Sequence, residues 1–221
     1  MTTKRPAGGT PTTRPPEPGT AQSPKPALRV EPLSDAPWPD LLDLFGPRGA
    51  CGGCWCQWWR QSRADYDANK GEVNREALRE QAASGEPIGL LGYLADDPKP
   101  AGWIACAPRP DYPVAARSPI ARHRPEDEFA PEDVWLVTCL FVRKEHRRRG
   151  VAAALAESAV EWAARQGAKA VDAVPVEPKK DEVPDVFAWT GLPAMFSAAG
   201  FTEVARPRPT RPIMRRVIEP S

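Results

Sequence analysis

Residues 134–142, Val-Trp-Leu-Val-Thr-Cys-Leu-Phe-Val, run nine positions without polar alternation. A strand that is apolar toward both faces belongs in the middle of a sheet covered on both sides, because a half-solvated strand would show period two. The stretch therefore predicts a layered α/β (α+β) domain. The adjoining residues narrow the choice. Arg143 to Gly150 is a turn with a local charge of +4. Residues 151–166 then carry Val151, Leu155, Ala159 and Trp162 on one side and Glu157, Glu161 and Arg165 on the other, which predicts an amphipathic helix ended by Gly167. Ala170 to Val176 is a further apolar strand, and the order strand, helix, strand implies a right-handed crossover between parallel neighbours.

Upstream, residues 27–33 alternate and predict a first strand; Asp35 with Pro37 and Pro39 opens a short helix over 38–45. A cysteine- and tryptophan-rich stretch occupies 51–60, a helix is predicted over 74–83, and strands over 88–94 and 101–107 flank an Asp-Asp-Pro-Lys-Pro hairpin turn. Residues 108–132 are polar and proline-rich, a connection whose length marks it as either functional or disordered. A short helix over 193–199 and strands over 201–205 and 213–218 close the chain. Seven of the 28 prolines fall within residues 1–26, where large apolar side chains are almost absent. Such a segment buries too little surface to offset its ordering entropy, so 1–26 is expected to be a disordered tail and 27–221 the folded domain.

Composition excludes several classes. The net charge of +1 among 221 residues removes the main drive for nucleic-acid binding. No apolar run approaches the ~18 residues of a membrane span, and Met-Thr-Thr-Lys-Arg-Pro contains no secretory h-region. Five cysteines, an odd number, fit a reducing cytoplasm better than a disulfide framework.

The turn before the central helix is the chemical centre of the sequence. A helix start exposes unpaired amides and about half a positive charge, and Gly150 removes the side chain that would keep a phosphate from the backbone. Neither the Gly-Lys-Ser/Thr of a Walker loop nor the three glycines of a dinucleotide fingerprint is present, so the pattern fits a different pyrophosphate site. Arg147, Gly150 and Ala152 match the pattern (Arg/Gln)-x-x-Gly-x-(Gly/Ala), and Met195-Phe-Ser-Ala-Ala-Gly-Phe201 matches Leu-Tyr-x-x-x-Gly-Phe. On these two motifs the chain resembles the GNAT superfamily of N-acetyltransferases, specifically over 134–201 and in element order over 27–218. The Cys-Trp-Cys segment, Cys54 to Cys56, resembles a subgroup with this element in its N-terminal half.

The resemblance implies a mixed, largely antiparallel sheet with one splayed parallel strand pair and flanking helices. It implies acetyl-CoA as co-substrate. The diphosphate would lie on the amides of Arg148 to Ala152 beside Arg147, and the pantetheine arm along Leu140, Phe141 and Val142. An N–H near Leu140 or Phe141 would polarise the thioester carbonyl. Arg149, Val151 and Phe196 complete the expected cofactor contacts. Relatives place a carboxylate where Leu136 stands and a tyrosine where Phe196 stands, so the usual acid/base pair is missing. Glu132, Asp133 and Asp172 are the replacement candidates, Asp172 because it interrupts an apolar strand. A CoA-binding regulatory module without turnover is therefore an alternative to an acyltransferase.

Two readings concern the acceptor, a small molecule or protein amine. Trp58 and Trp59 would border its pocket, and the acidic Glu126, Asp127, Glu128, Glu132 and Asp133 favour a cationic one. Cys51, Cys54 and Cys56 supply three of the four ligands that a structural zinc takes; buried thiols packed on tryptophans are the favoured reading, and no metal is expected. The oligomeric expectation is a monomer or homodimer.

Overall fold

A computed structural model describes residues 25–122, 127–178 and 188–219. Its strands are β1 (Leu28–Pro32), β2 (Gly89–Leu94), β3 (Pro100–Pro108), β4 (Val134–Val142), β5 (Ala170–Ala173), β6 (Thr202–Arg208) and β7 (Arg211–Val217). They form one sheet in the order β1-β2-β3-β4-β5-β7-β6. Every neighbouring pair is antiparallel except β4 with β5. The helices are α1 (Trp38–Phe45), α2 (Arg63–Ala68), α3 (Glu72–Ala83), α4 (Pro113–Arg117), α5 (Val151–Arg165) and α6 (Pro193–Ala198).

The double-sided apolarity of β4 has the predicted cause. On one face, α5 lays Val151, Leu155, Ala159 and Trp162 on Trp135, Val137 and Leu140, and Trp135 meets Trp162 edge-on at 5.1 Å. On the other face, Leu41, Phe45, Trp55 and Leu78 cover Trp103 and Cys139. Full burial of a leucine such as Leu155 contributes roughly 1.5–3 kcal/mol, and the sheet admits it only through a gap. A Cβ built on Gly92 would stand 2.7 Å from Leu155 Cδ2.

The parallel pair is short. Val134–Val137 pair with Ala170–Ala173, after which the chain leaves β4 while Thr138–Val142 continue along β3. A bulge at Thr138, opposite Ala105/Cys106, re-aims the end of β4. The predicted strand 170–176 thus stops at Ala173, and its last three residues leave the sheet as one side of a fork.

Other boundaries differ more. The connection 108–132 holds α4 and two single 3-10 turns. The cysteine–tryptophan stretch forms an irregular turn at Gly49–Gly53 and a 3-10 turn at Gln57–Trp59, with Ala50, Trp55 and Cys56 at positive φ. The expected tail lies outside the described residues except for Lys25 and Pro26. These two pack against Gly150, where a built Cβ would lie 3.2 Å from Pro26 Cδ.

Candidate functional site

The fork opens a cleft of about 720 Å³ between the end of β4, the start of α5, the segment 188–192 and α6. Leu140, Phe141, Val142, Arg147, Arg148, Gly150, Val151 and Ala152 all line it. The turn that shapes it is held from both sides. Arg147 Nε donates to the Val142 carbonyl at 3.0 Å, and His146 Nε2 sits 3.5 Å from Asp97 on the β2–β3 hairpin. Arg148 has φ +59 and Gly150 φ +79. A non-glycine residue in that region carries strain, which concentrates at functional sites.

The first intrahelical bond recorded at the start of α5 is Ala154 N–H to the Gly150 carbonyl, at 3.0 Å. Among the described residues, no amide of residues 148–153 donates to a backbone carbonyl. Those of Gly150 to Ala153 are the orphan donors of a helix start, at the positive end of its dipole. Arg149 points elsewhere, its Nη1 3.4 Å from His146 Nδ1, and does not line the cleft. Lys25 crosses the mouth, donating to the Ala198 carbonyl at 3.1 Å and pairing with Glu157.

The parity of β4 sorts its amides. Arg143 N–H donates to Ala101 on β3, whereas Leu140 N–H donates to the Trp189 carbonyl at 2.7 Å. Alternation along the strand turns Phe141 toward β3 and Val142 toward the cleft. This corrects the expectation of an oxyanion donor near Leu140 or Phe141: both amides are engaged, and Val142 is the one on the open side.

A second cavity of about 300 Å³ adjoins the first at Trp189, which lines both. Trp58 and Trp59 line it, together with Tyr66, Val114, Ile120, Thr190 and Arg211. Trp58 stands edge-on to Tyr66 at 5.0 Å and to Trp189 at 6.3 Å.

The acid/base candidates are elsewhere. Asp172 is fully buried and accepts from Arg215 Nε at 2.7 Å and Nη2 at 2.9 Å, and from Arg109. It lines neither cavity, so its role is a core ion pair and not that of a base. Asp133 is bound by Lys169 Nζ at 2.8 Å, and Glu132 is exposed at the start of β4. Asp127 lies 3.8 Å from Arg215, and Glu126 is outside the described residues. Of this acidic run, Asp133 and Asp127 thus face a lysine and an arginine of the same chain. Phe196 is fully buried and packs edge-on to Phe201 at 5.1 Å. It backs the cleft wall from inside the core instead of touching what the cleft holds, because Gly191 lies between; a Cβ there would be 2.6 Å from the ring.

The three N-terminal cysteines separate. Cys51 is exposed and lines the cleft. Cys54 Sγ is 3.7 Å from the Gly49 carbonyl, and burial pushes its thiol up to about 11. Cys56 is buried, and the neighbouring Cys139 draws its thiol below the usual value. Among the described residues no group of three or more His, Cys, Asp or Glu side chains could hold a metal ion, and no helix is long and apolar enough to cross a membrane.

The model of the acetyltransferase (GNAT) family matches residues 55–183, more than half of the chain. No curated protein matches. Among solved structures, a GCN5-related N-acetyltransferase from Kribbella flavida is 18% identical with a TM-score of 0.50, covering 87% of this chain and 98% of its own. A GNAT-family acetyltransferase from Listeria monocytogenes is 11% identical with a TM-score of 0.51, covering 86% and 95%. A Thermoplasma acidophilum N-acetyltransferase, solved with coenzyme A, is 13% identical with a TM-score of 0.46, covering 87% and 99%.

Proposed function

The chain belongs to the acetyltransferase (GNAT) family, which uses acetyl-CoA, and on that premise we propose that it acetylates a primary amine by direct attack within a ternary complex. The observation that supports this most is the row of amides at residues 148–153 that, among the described residues, donate to no backbone carbonyl, beside a forked strand pair and a separate aromatic pocket. Acetyl-CoA would supply the thioester: the neutral acceptor nitrogen bonds to the acyl carbon, the C–S bond breaks, and the departing coenzyme A thiolate ends as the thiol with the proton that the nitrogen gives up. Arg147, Arg148 and the α5 amides hold the diphosphate. Leu140 to Val142 align the pantetheine arm, with the Val142 N–H on its side of the strand. Trp58 and Trp59 wall the acceptor.

No Asp or Glu is among the described residues lining either cavity. Orientation of two bound reactants contributes about 7–11 kcal/mol, more than the roughly 10²–10⁴-fold of a general base. Titrating coenzyme A by calorimetry and measuring thiol release across an amine panel tests the proposal. Saturable binding with amine-dependent thiol release is expected; binding to neither coenzyme A nor acetyl-CoA overturns it.

A second reading, a CoA-binding module without turnover, is favoured by one observation. Leu136 and Phe196, both fully buried, occupy the places where relatives carry acid/base groups. Tight coenzyme A binding with no thiol release from any amine would select it.

A further inference from the structure

The pocket beyond Trp189 has a chemistry that the cofactor cleft does not explain. Its walls are aromatic: Trp58, Trp59, Tyr66 and Trp189. Set into them are donors that lack acceptors. Arg211, at the start of β7, makes one recorded side-chain bond, from Nη1 to Thr190 Oγ1 at 3.2 Å. Among the described residues it forms no ion pair, whereas Arg63 at the same pocket is matched by Asp67 at 2.7 Å. Burial alone pulls the Arg211 guanidinium below its usual value, with no acidic neighbour acting on it. Trp59 is 5% exposed, and its indole N–H has no hydrogen-bond partner among the described residues. Both groups donate and cannot accept. A half-buried cation and a buried N–H, both short of an acceptor and both lining one cavity, are a site for an anion.

Resting on the reading of this pocket as the acceptor site, we propose that the acceptor is a small amine that also carries a carboxylate, an amino-acid-like molecule with an aromatic or apolar side chain. The carboxylate would sit on Arg211, with the Trp59 N–H as a further donor. The side chain would lie between Trp58, Tyr66 and Trp189, and the amine would point past Trp189 toward the cleft. About 300 Å³ is the small end of ligand-site volumes, which suits a compact molecule. Arg211 is thereby a specificity-determining residue. The pocket disfavours a polyamine, since it offers Arg63 and Arg211 and no described carboxylate.

The test uses the full chain with L-phenylalanine, phenethylamine, L-phenylalaninamide and 3-phenylpropionate as probes, read by tryptophan fluorescence and calorimetry with and without coenzyme A. The two carboxylates are expected to bind roughly 10- to 100-fold more tightly than the two probes without one, the range that a charge-assisted hydrogen bond supplies. Arg211→Gln should abolish that preference by weakening the two carboxylates, with phenethylamine bound no less tightly than before; Arg211→Lys should restore part of it. Equal binding of phenylalanine and phenethylamine by the unaltered chain would overturn the proposal, as would absence of saturable carboxylate binding. So would a preference that survives Arg211→Gln. Thiol release confined to amines without a carboxylate would overturn this inference and leave the transferase reading standing. Failure to bind coenzyme A would overturn the latter, while the fluorescence titrations would still report on Arg211.

Discussion

Replacing Asp172 by asparagine separates a structural role from a catalytic one. Its carboxylate takes hydrogen bonds from Arg215 at 2.7 and 2.9 Å and from Arg109, side chains only 7% and 4% exposed. Asp127, 3.8 Å from Arg215, brings the group to two cations and two anions. Asparagine keeps the shape and removes one charge, leaving a net buried cation. Removing one partner of such a pair costs about 3–5 kcal/mol, because the survivor is buried without compensation. For a domain of this size each kcal/mol moves the melting temperature by roughly 2–4 °C, so a fall of about 6–20 °C is expected. Circular dichroism melting measures it. Arg109 also holds the Ala121 carbonyl, at the end of the connection that carries Val114 and Ile120 into the second cavity, the proposed acceptor site. Acceptor KM should therefore rise while coenzyme A affinity holds. A variant that melts within about 2 °C of the parent, less than one kcal/mol on that scale, or that loses turnover with stability and KM intact, would refute the reasoning.

Gly150→Val places a β-branched residue at φ +79 with its Cβ 3.2 Å from Pro26, and should weaken coenzyme A binding at least about tenfold by calorimetry. Asp133→Asn breaks an exposed pair with Lys169 and should cost less than about 1 kcal/mol in urea unfolding, with turnover retained. Cys51, exposed in the cleft, should be the fastest thiol toward a maleimide at about pH 8, close to the ordinary thiol pKa, and saturating coenzyme A should slow its labelling as read by mass spectrometry. Cys54 is pushed up from 9.0 to about 11, so the unfolded chain releases that proton first. Stability from this group is full below pH 9.0 and declines as pH rises from there toward about 11, which urea titrations across that range would record.

How much of this is legible in the sequence depends on how local the cause is. The burial of β4 on both faces, the amphipathic α5 and the Gly150 turn each follow from contiguous residues, and the structure has them at the expected positions. Arg149 and Phe196 share the cofactor's motifs without touching its cleft, because position in a motif does not settle where a side chain points. Asp172 reads in one dimension as an oddity in an apolar strand. Its explanation, Arg109 and Arg215, stands 63 and 43 residues away. Ala50, Trp55 and Cys56 adopt positive φ that no propensity favours, imposed by the packing of the loop onto the sheet. Trp189 and Arg211 belong to no periodic pattern and match no motif. Only the fold brings Arg211 to the cavity that Trp58 lines, and their donor and aromatic chemistry is the one signal the sequence carried for them.

Trp189 ties the two chambers together mechanically. Its carbonyl holds the Leu140 amide, and its indole is a partition between one chamber and the other. Any movement of Trp189 that broke this bond would therefore disturb a wall of both chambers at once.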